Sequence, residues 1–223
     1  MDLGKTIVTN DNFSFDRALI SIYNKYSSKN ISLEEFLKVA TEKKKIYNLR
    51  DITNIEVSFK DYITSLESIV SFNYPNFDEL EDYFLENCMD DMLIDNVVSF
   101  IEYVRCKNIE IVIVSNSTFS SRALKKELEN FHILHYFKDL ISSSDYTDNI
   151  TYRKPHHLFF EKGIQILNIP KETILFIGND YHFDIEGAIN CGLKTAWFTK
   201  EVTNNKNIIT FNNYSKLKNQ LDI

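Results

Sequence analysis

The stretch Ile174-Leu175-Phe176-Ile177-Gly178-Asn179-Asp180-Tyr181-His182-Phe183-Asp184 constrains this chain more than any other. Four consecutive apolar residues without alternation fit a strand buried on both faces of a parallel sheet. Gly178 permits a tight turn, and Asp180 and Asp184 follow it. From Asp184 onward, Ile185, Ala188 and Ile189 keep helical spacing, with an acid in the first turn. A buried strand that opens into an acidic loop and then a helix places charge at the carboxyl edge of an open α/β sheet, where such sheets hold ligands. Two carboxylates there repel each other unless a cation lies between them, which points to a divalent-metal site. A solvated acidic turn capping the helix is the plainer alternative.

The rest of the chain supplies the sheet that this strand needs. Phe15, Ala18, Leu19, Ile22 and Tyr26 fall at helical spacing, and Ser32 with Glu35 forms a capping box ahead of Phe36, Leu37 and Ala40. Two further stripes follow, Phe59 to Val70 and Phe77 to Cys88, so residues 11–90 read as helix without strand. After residue 92 the pattern alternates. Helices are predicted around Val97–Val104, Ala123–Phe131 and Leu158–Leu167, and strands at Ile109–Val114, Leu140–Ser142, Thr195–Phe198 and Ile208–Phe211. The chain closes on an amphipathic tail from Tyr214 to Leu221. This alternation predicts an α/β, doubly wound parallel sheet with an inserted all-helical domain: residues 1–10 and 91–223 as the core, 11–90 as the insert.

Composition narrows the function. A net charge of −7 with no dominant basic face argues against nucleic acid. No apolar run approaches the length of a membrane span, and the start is unlike a signal peptide. Cys88, Cys106 and Cys191 are odd in number and widely spaced, which argues against disulfides and zinc and fits a reducing cytoplasm. Trp197 reads as core, Arg153 as structural, and the adjacent His156 and His157 as side chains pointing in different directions.

Three strand ends carry polar groups: Ser115, the segment Tyr152-Arg153-Lys154-Pro155, and the acidic loop. Parallel strands end on one edge, so the groups can converge. A hydroxyl beside backbone N–H groups, an ammonium and a carboxylate pair together make a phosphate-binding constellation.

In these residues the chain resembles the haloacid dehalogenase superfamily of hydrolases, in its capped, phosphoglycolate-phosphatase-like branch. Asp2-Leu3-Gly4-Lys5-Thr6-Ile7 is similar to the first motif, Val114-Ser115-Asn116-Ser117 to the second and Arg153-Lys154-Pro155 to the third. The stretch from Ile174 to Ala188 resembles the fourth, which Cys191-Gly192-Leu193 continues. The resemblance covers residues 2–8 and about 92–223, with the helical insert where the branch places its cap. It implies that Asp2 attacks phosphorus, that Lys154 steadies nucleophile and phosphate, and that Ser115 and Thr6 meet a small phosphorylated metabolite; Asn116 is expected to contact that substrate or the cap, with turn chemistry as the plainer alternative. It implies Mg2+ held by Asp2, the carbonyl of Gly4, and Asp184; the partner acid is Asp180 on the shorter family spacing, whereas the commoner spacing falls on Asn179.

Two departures matter. The family's phosphatases carry a second Asp where this chain has Gly4, and that Asp transfers protons to the leaving oxygen and from water, a role worth about 10²–10⁴-fold. The first motif also ends a central buried strand in the family, yet only Met1 precedes Asp2 here. Something is therefore expected to fill the middle of the sheet, or the Asp2 loop to be poorly ordered. Two alternatives stay open: a dehalogenase-like hydrolase using Asp2 alone, and a non-catalytic binding or regulatory domain on the same fold. Oligomeric state is not legible.

Overall fold

A computed structural model describes residues 1–9, 12–88, 90–145 and 152–221. A short strand β1 (Val8–Thr9) leads into five helices: α1 (Phe15–Tyr26), α2 (Leu33–Lys44), α3 (Arg50–Thr53), α4 (Phe59–Glu67) and α5 (Phe77–Cys88). The predicted capping box at Ser32 and Glu35 is present, and Ser58 with Asp61 forms a second one that opens α4. Aromatic stripes become an aromatic core: Phe15 meets Tyr62 edge-on at 5.4 Å and Phe84 at 4.8 Å. Among the described residues 12–88, pairing of the β type is confined to isolated bridges, Ser27 with Phe72 and Ile55 with Tyr152. These helices form the cap. The boundary expected at residues 10 and 11 lies outside the described residues.

The second half alternates as its pattern predicts. In order come β2 (Met92–Leu93), α6 (Val97–Cys106), β3 (Val112–Ser115), α7 (Ser121–Asn130), β4 (Asp139–Ser142) and α8 (His157–Leu167). Then follow β5 (Leu175–Gly178), α9 (Gly187–Asn190), β6 (Lys194–Phe198), β7 (Ile208–Phe211) and α10 (Tyr214–Gln220). β3 pairs with β4, and β5 with β6 and β7, all in parallel. Both sheet faces are buried. Ile111 and Ile113 pack with Phe100, Tyr214 and Leu217, whereas Val112 and Val114 pack with Phe159 and Phe160. β1 and β2 form an antiparallel pair that the sequence pattern does not show, because two residues carry no periodicity.

The middle of the sheet is filled only at its carboxyl end. Met1 N donates to Val112 O at 2.7 Å, Val114 N to Met1 O at 2.9 Å, and Asp2 N to Ile177 O at 2.8 Å. Met1 and Asp2 thus run parallel between β3 and β5, so of the two expected outcomes, a filled gap or a poorly ordered Asp2 loop, the first holds at this end of the sheet. Behind Met1 an apolar cavity of about 460 Å³ remains, lined by Val104, Val112, Phe160, Leu175 and Ile177 among others.

Where α7 approaches the end of the cap, Glu127 and Asp91 bring two acids together. Glu127 Oε1 and Asp91 Oδ1 are buried without a hydrogen-bond donor. Burial, then the contact with Asp91, pushes the Glu127 carboxyl up to about 9. A raised native pKa means that the folded chain binds more protons than the unfolded one between pH 4.5 and about 9, so stability falls as pH rises through that window. Glu127→Gln removes this slope and keeps a donor beside the Asp91 carboxylate at every pH. Its Tm is expected to exceed that of the parent by a few degrees at pH 8 and to match it near pH 4.5, in melts followed by circular dichroism.

Candidate active site

The carboxyl edge of the sheet gathers the residues singled out above. β3 ends in Ser115, which is buried at the floor of a cleft between core and cap. β5 ends in Gly178, and the next turn brings Asp184 back over it. A Cβ at Gly178 would sit 2.5 Å from Asp184 Oδ2, so this close approach requires glycine. The Asp184 carboxylate is buried; its Oδ2 accepts from the N–H groups of Asn179 and Asp180 at 3.1 and 3.0 Å.

Lys154 joins the two ends of the site. It is only 1% exposed, and its Nζ donates to Asp2 Oδ1 and to Asp184 Oδ1, each at 2.6 Å. Burial pulls the ammonium pKa down, but the charges of Asp184 and Asp2 and their hydrogen bonds outweigh it, so the pKa is raised. Burial dominates at Asp2: its carboxyl is pushed up to about 6 against the pull of Lys154. Thr6 Oγ1 lies 3.2 Å from both Asp2 Oδ2 and Asn179 Oδ1. Lys154→Met would leave both buried carboxylates facing no cation, at about 3–5 kcal/mol. For a chain of this size that is a Tm loss of about 6–20 °C, measurable by calorimetry.

Several residues sit differently from expectation. The helix after the acidic loop starts at Tyr181, as a single wide π-type turn to Glu186 capped by Asp180, whose Oδ1 accepts from Phe183 N at 2.8 Å. Asp180 thus lines the cleft while its carboxylate serves as a cap, and Asn179 reaches the centre instead. Asn116, expected at the substrate or the cap, clamps the Lys154 backbone: Lys154 N donates to its Oδ1 at 2.8 Å and its Nδ2 donates to Lys154 O at 3.0 Å. Pro155 directly precedes His156, the N-cap of α8. His156 stacks between Tyr152 and His157, and neither histidine lines the cleft. Trp197 is buried as expected, but its Nε1 also donates to Asn179 O at 2.9 Å and so steadies the acidic loop. Nothing in the local pattern of β6 signals that bond.

The cleft measures about 620 Å³. Its core side presents Asp2, Gly4, Ser115, Lys154, Asp180 and Asp184; the cap contributes Phe13, Phe15, Lys44, Tyr47, Asn48 and Arg50. A Cβ at Gly4 would meet nothing within 4 Å. The donor set fits a hard cation. Mg2+ takes one or two carboxylates and fills its octahedron with water and phosphate oxygens, and Asp2 and Asp184 with nearby amide and carbonyl oxygens offer that much. Among the described residues no three His, Cys, Asp or Glu side chains converge as an all-protein cage.

A family model described as haloacid dehalogenase-like hydrolase matches residues 13–198, a span that begins after Asp2. A glyceraldehyde 3-phosphate phosphatase from Methanothermobacter thermautotrophicus is 25% identical over 108 residues, 48% of this chain and 45% of that protein. The chain spans less than half the length of such curated relatives, 19% for the one from Pyrococcus furiosus. In fold it is similar to a 2-haloacid dehalogenase from Pseudomonas syringae, with TM-score 0.64 and 16% identity, covering 98% of this chain and 94% of that one. It is also similar to a hydrolase from Bacillus subtilis solved bound to magnesium, with TM-score 0.58 and 20% identity, covering 100% and 96%. Among the described residues no helix is long and apolar enough to cross a membrane.

Proposed function

The chain belongs to the haloacid dehalogenase-like hydrolases, and from that premise we propose that it is a magnesium-dependent phosphatase of a small phosphorylated metabolite, with Asp2 as nucleophile. The observation that carries this is Lys154 Nζ, buried and bonded at 2.6 Å to both Asp2 and Asp184 on the floor of a cleft. Relatives named as phosphatases support the same class of substrate.

Lys154 and Thr6 hold the Asp2 carboxylate at its two oxygens. Ser115 lines the cleft, where its hydroxyl can donate to phosphate oxygens. The Asp2 carboxylate attacks phosphorus and the ester oxygen leaves, taking its proton from water because Gly4 has no side chain to give one. Water then attacks the phosphorus of the aspartyl-phosphate, releases phosphate and restores the carboxylate. Mg2+ held by Asp2, Asp184 and the Gly4 carbonyl would supply charge neutralisation between nucleophile and phosphate. The cap closes the cleft over the substrate and excludes bulk water.

The test is phosphate release from a panel of phosphomonoesters with Mg2+ and with a chelator. Release that needs the metal supports the proposal. Hydrolysis untouched by chelation would favour the second reading, a dehalogenase-like reaction at Asp2, for which Gly4 is the supporting observation.

A further inference from the structure

Glu56 is a carboxylate of the cap that is 3% exposed and lies outside the cleft. Its Oε1 accepts from Arg50 Nη1 at 3.0 Å and from Val57 N at 3.2 Å. Its Oε2 accepts from Ser143 Oγ at 2.7 Å, and Arg153 Nε stands 3.5 Å away. Each core partner is joined to a loop of the site. Ser143 Oγ accepts from Ser117 N at 3.0 Å, in the turn that follows Ser115. Arg153 immediately precedes Lys154, and its guanidinium lies 5.2 Å from the ring centre of Phe183, between Asp180 and Asp184. The backbone follows the same route. Arg153 N donates to Asn54 O at 3.0 Å, Phe59 N to Thr118 O at 2.7 Å, and Thr118 Oγ1 to Val57 O at 2.9 Å.

We propose that Glu56 is a positioning residue through which the docked cap sets the loops carrying Ser115 and Lys154. A buried carboxylate between two arginines loses a partner only at high cost, so it has one stable arrangement, the one in which Ser143 and Arg153 are both in reach. When the cap lifts, those two core groups lose their shared acceptor, and the turn after Ser115 and the segment before Lys154 gain freedom. Substrate entry and assembly of the site are thereby linked: the core loops take their working positions when the cap is down.

The kinetic part of the test rests on the phosphatase reading; the exchange part does not. Glu56→Gln and Ser143→Ala are made singly and together. Each single change is expected to lower kcat on the order of 10–10²-fold with KM little changed, as misplacement of catalytic groups does. The double variant should lose less than the product of the two single losses, because the two side chains share one bond. Hydrogen exchange should quicken at residues 116–118 and 152–154 in each variant. Unchanged kcat, additive losses, or exchange that quickens within the cap alone would overturn the proposal. If Glu56→Gln does not fold, Ser143→Ala decides by the same readouts. If the parent releases no phosphate from any substrate, the phosphatase reading has failed, and the exchange pattern still decides the role of Glu56.

Discussion

Asp2→Asn is expected to lower phosphate release on the order of 10³-fold or more while leaving the fold intact. The amide is nearly isosteric, and its oxygen can still accept from Lys154 or Thr6, so the groups that touch Asp2 keep a partner. It cannot form an acyl-phosphate. Stability should not suffer, because burial holds the Asp2 carboxyl up at about 6, so the ionised form is the costly one in the folded chain at pH 7. A neutral residue removes that cost, and Tm is expected to stay level or rise. Loss of activity with a level or higher Tm separates a chemical role from a structural one.

Gly4→Asp is expected to act in the opposite direction and raise kcat on a phosphomonoester by up to about 10²-fold. The position lines the cleft, has no neighbour within 4 Å of a new Cβ, and lacks the positive φ that would demand glycine. A carboxyl there could give its proton to the leaving oxygen and then take one from the attacking water, the two transfers for which the parent relies on solvent. The rate should gain a dependence on the protonation of that acid, visible as a new limb in the pH profile. A fall in kcat would instead show that the site needs the bare backbone of Gly4 close to the substrate.

Much of this site is legible in the sequence because strand ends are. β5 and β3 are apolar runs flanked by polar turns, so Ser115 and Asp184 could be placed at one edge without coordinates, and Lys154 follows from the same logic. The helices of the cap show their stripes and one of their two capping boxes directly. Other parts have no local signature. Met1 and Asp2 lie extended at the chain start because β3 and β5 offer bonds on both sides, which two residues cannot signal. The Trp197 bond to Asn179 and the Glu56 bonds to Ser143 and Arg153 join positions far apart in sequence, and no periodicity predicts them. Asp180 shows a different limit. A carboxylate between a turn and a helix can ligate or cap, and the choice depends on the wide turn at Tyr181–Glu186, which spacing alone does not reveal.

The central claim is that Asp2 carries the phosphoryl group during turnover, and acid quenching during the reaction with a good phosphomonoester and Mg2+ tests it most directly. Mass spectrometry of the N-terminal peptide should find one phosphoryl group on Asp2, absent when substrate is omitted and absent in Asp2→Asn. Rapid turnover with no phosphoryl group on that peptide at any quench time, or with a phosphoryl group on another residue, would contradict it.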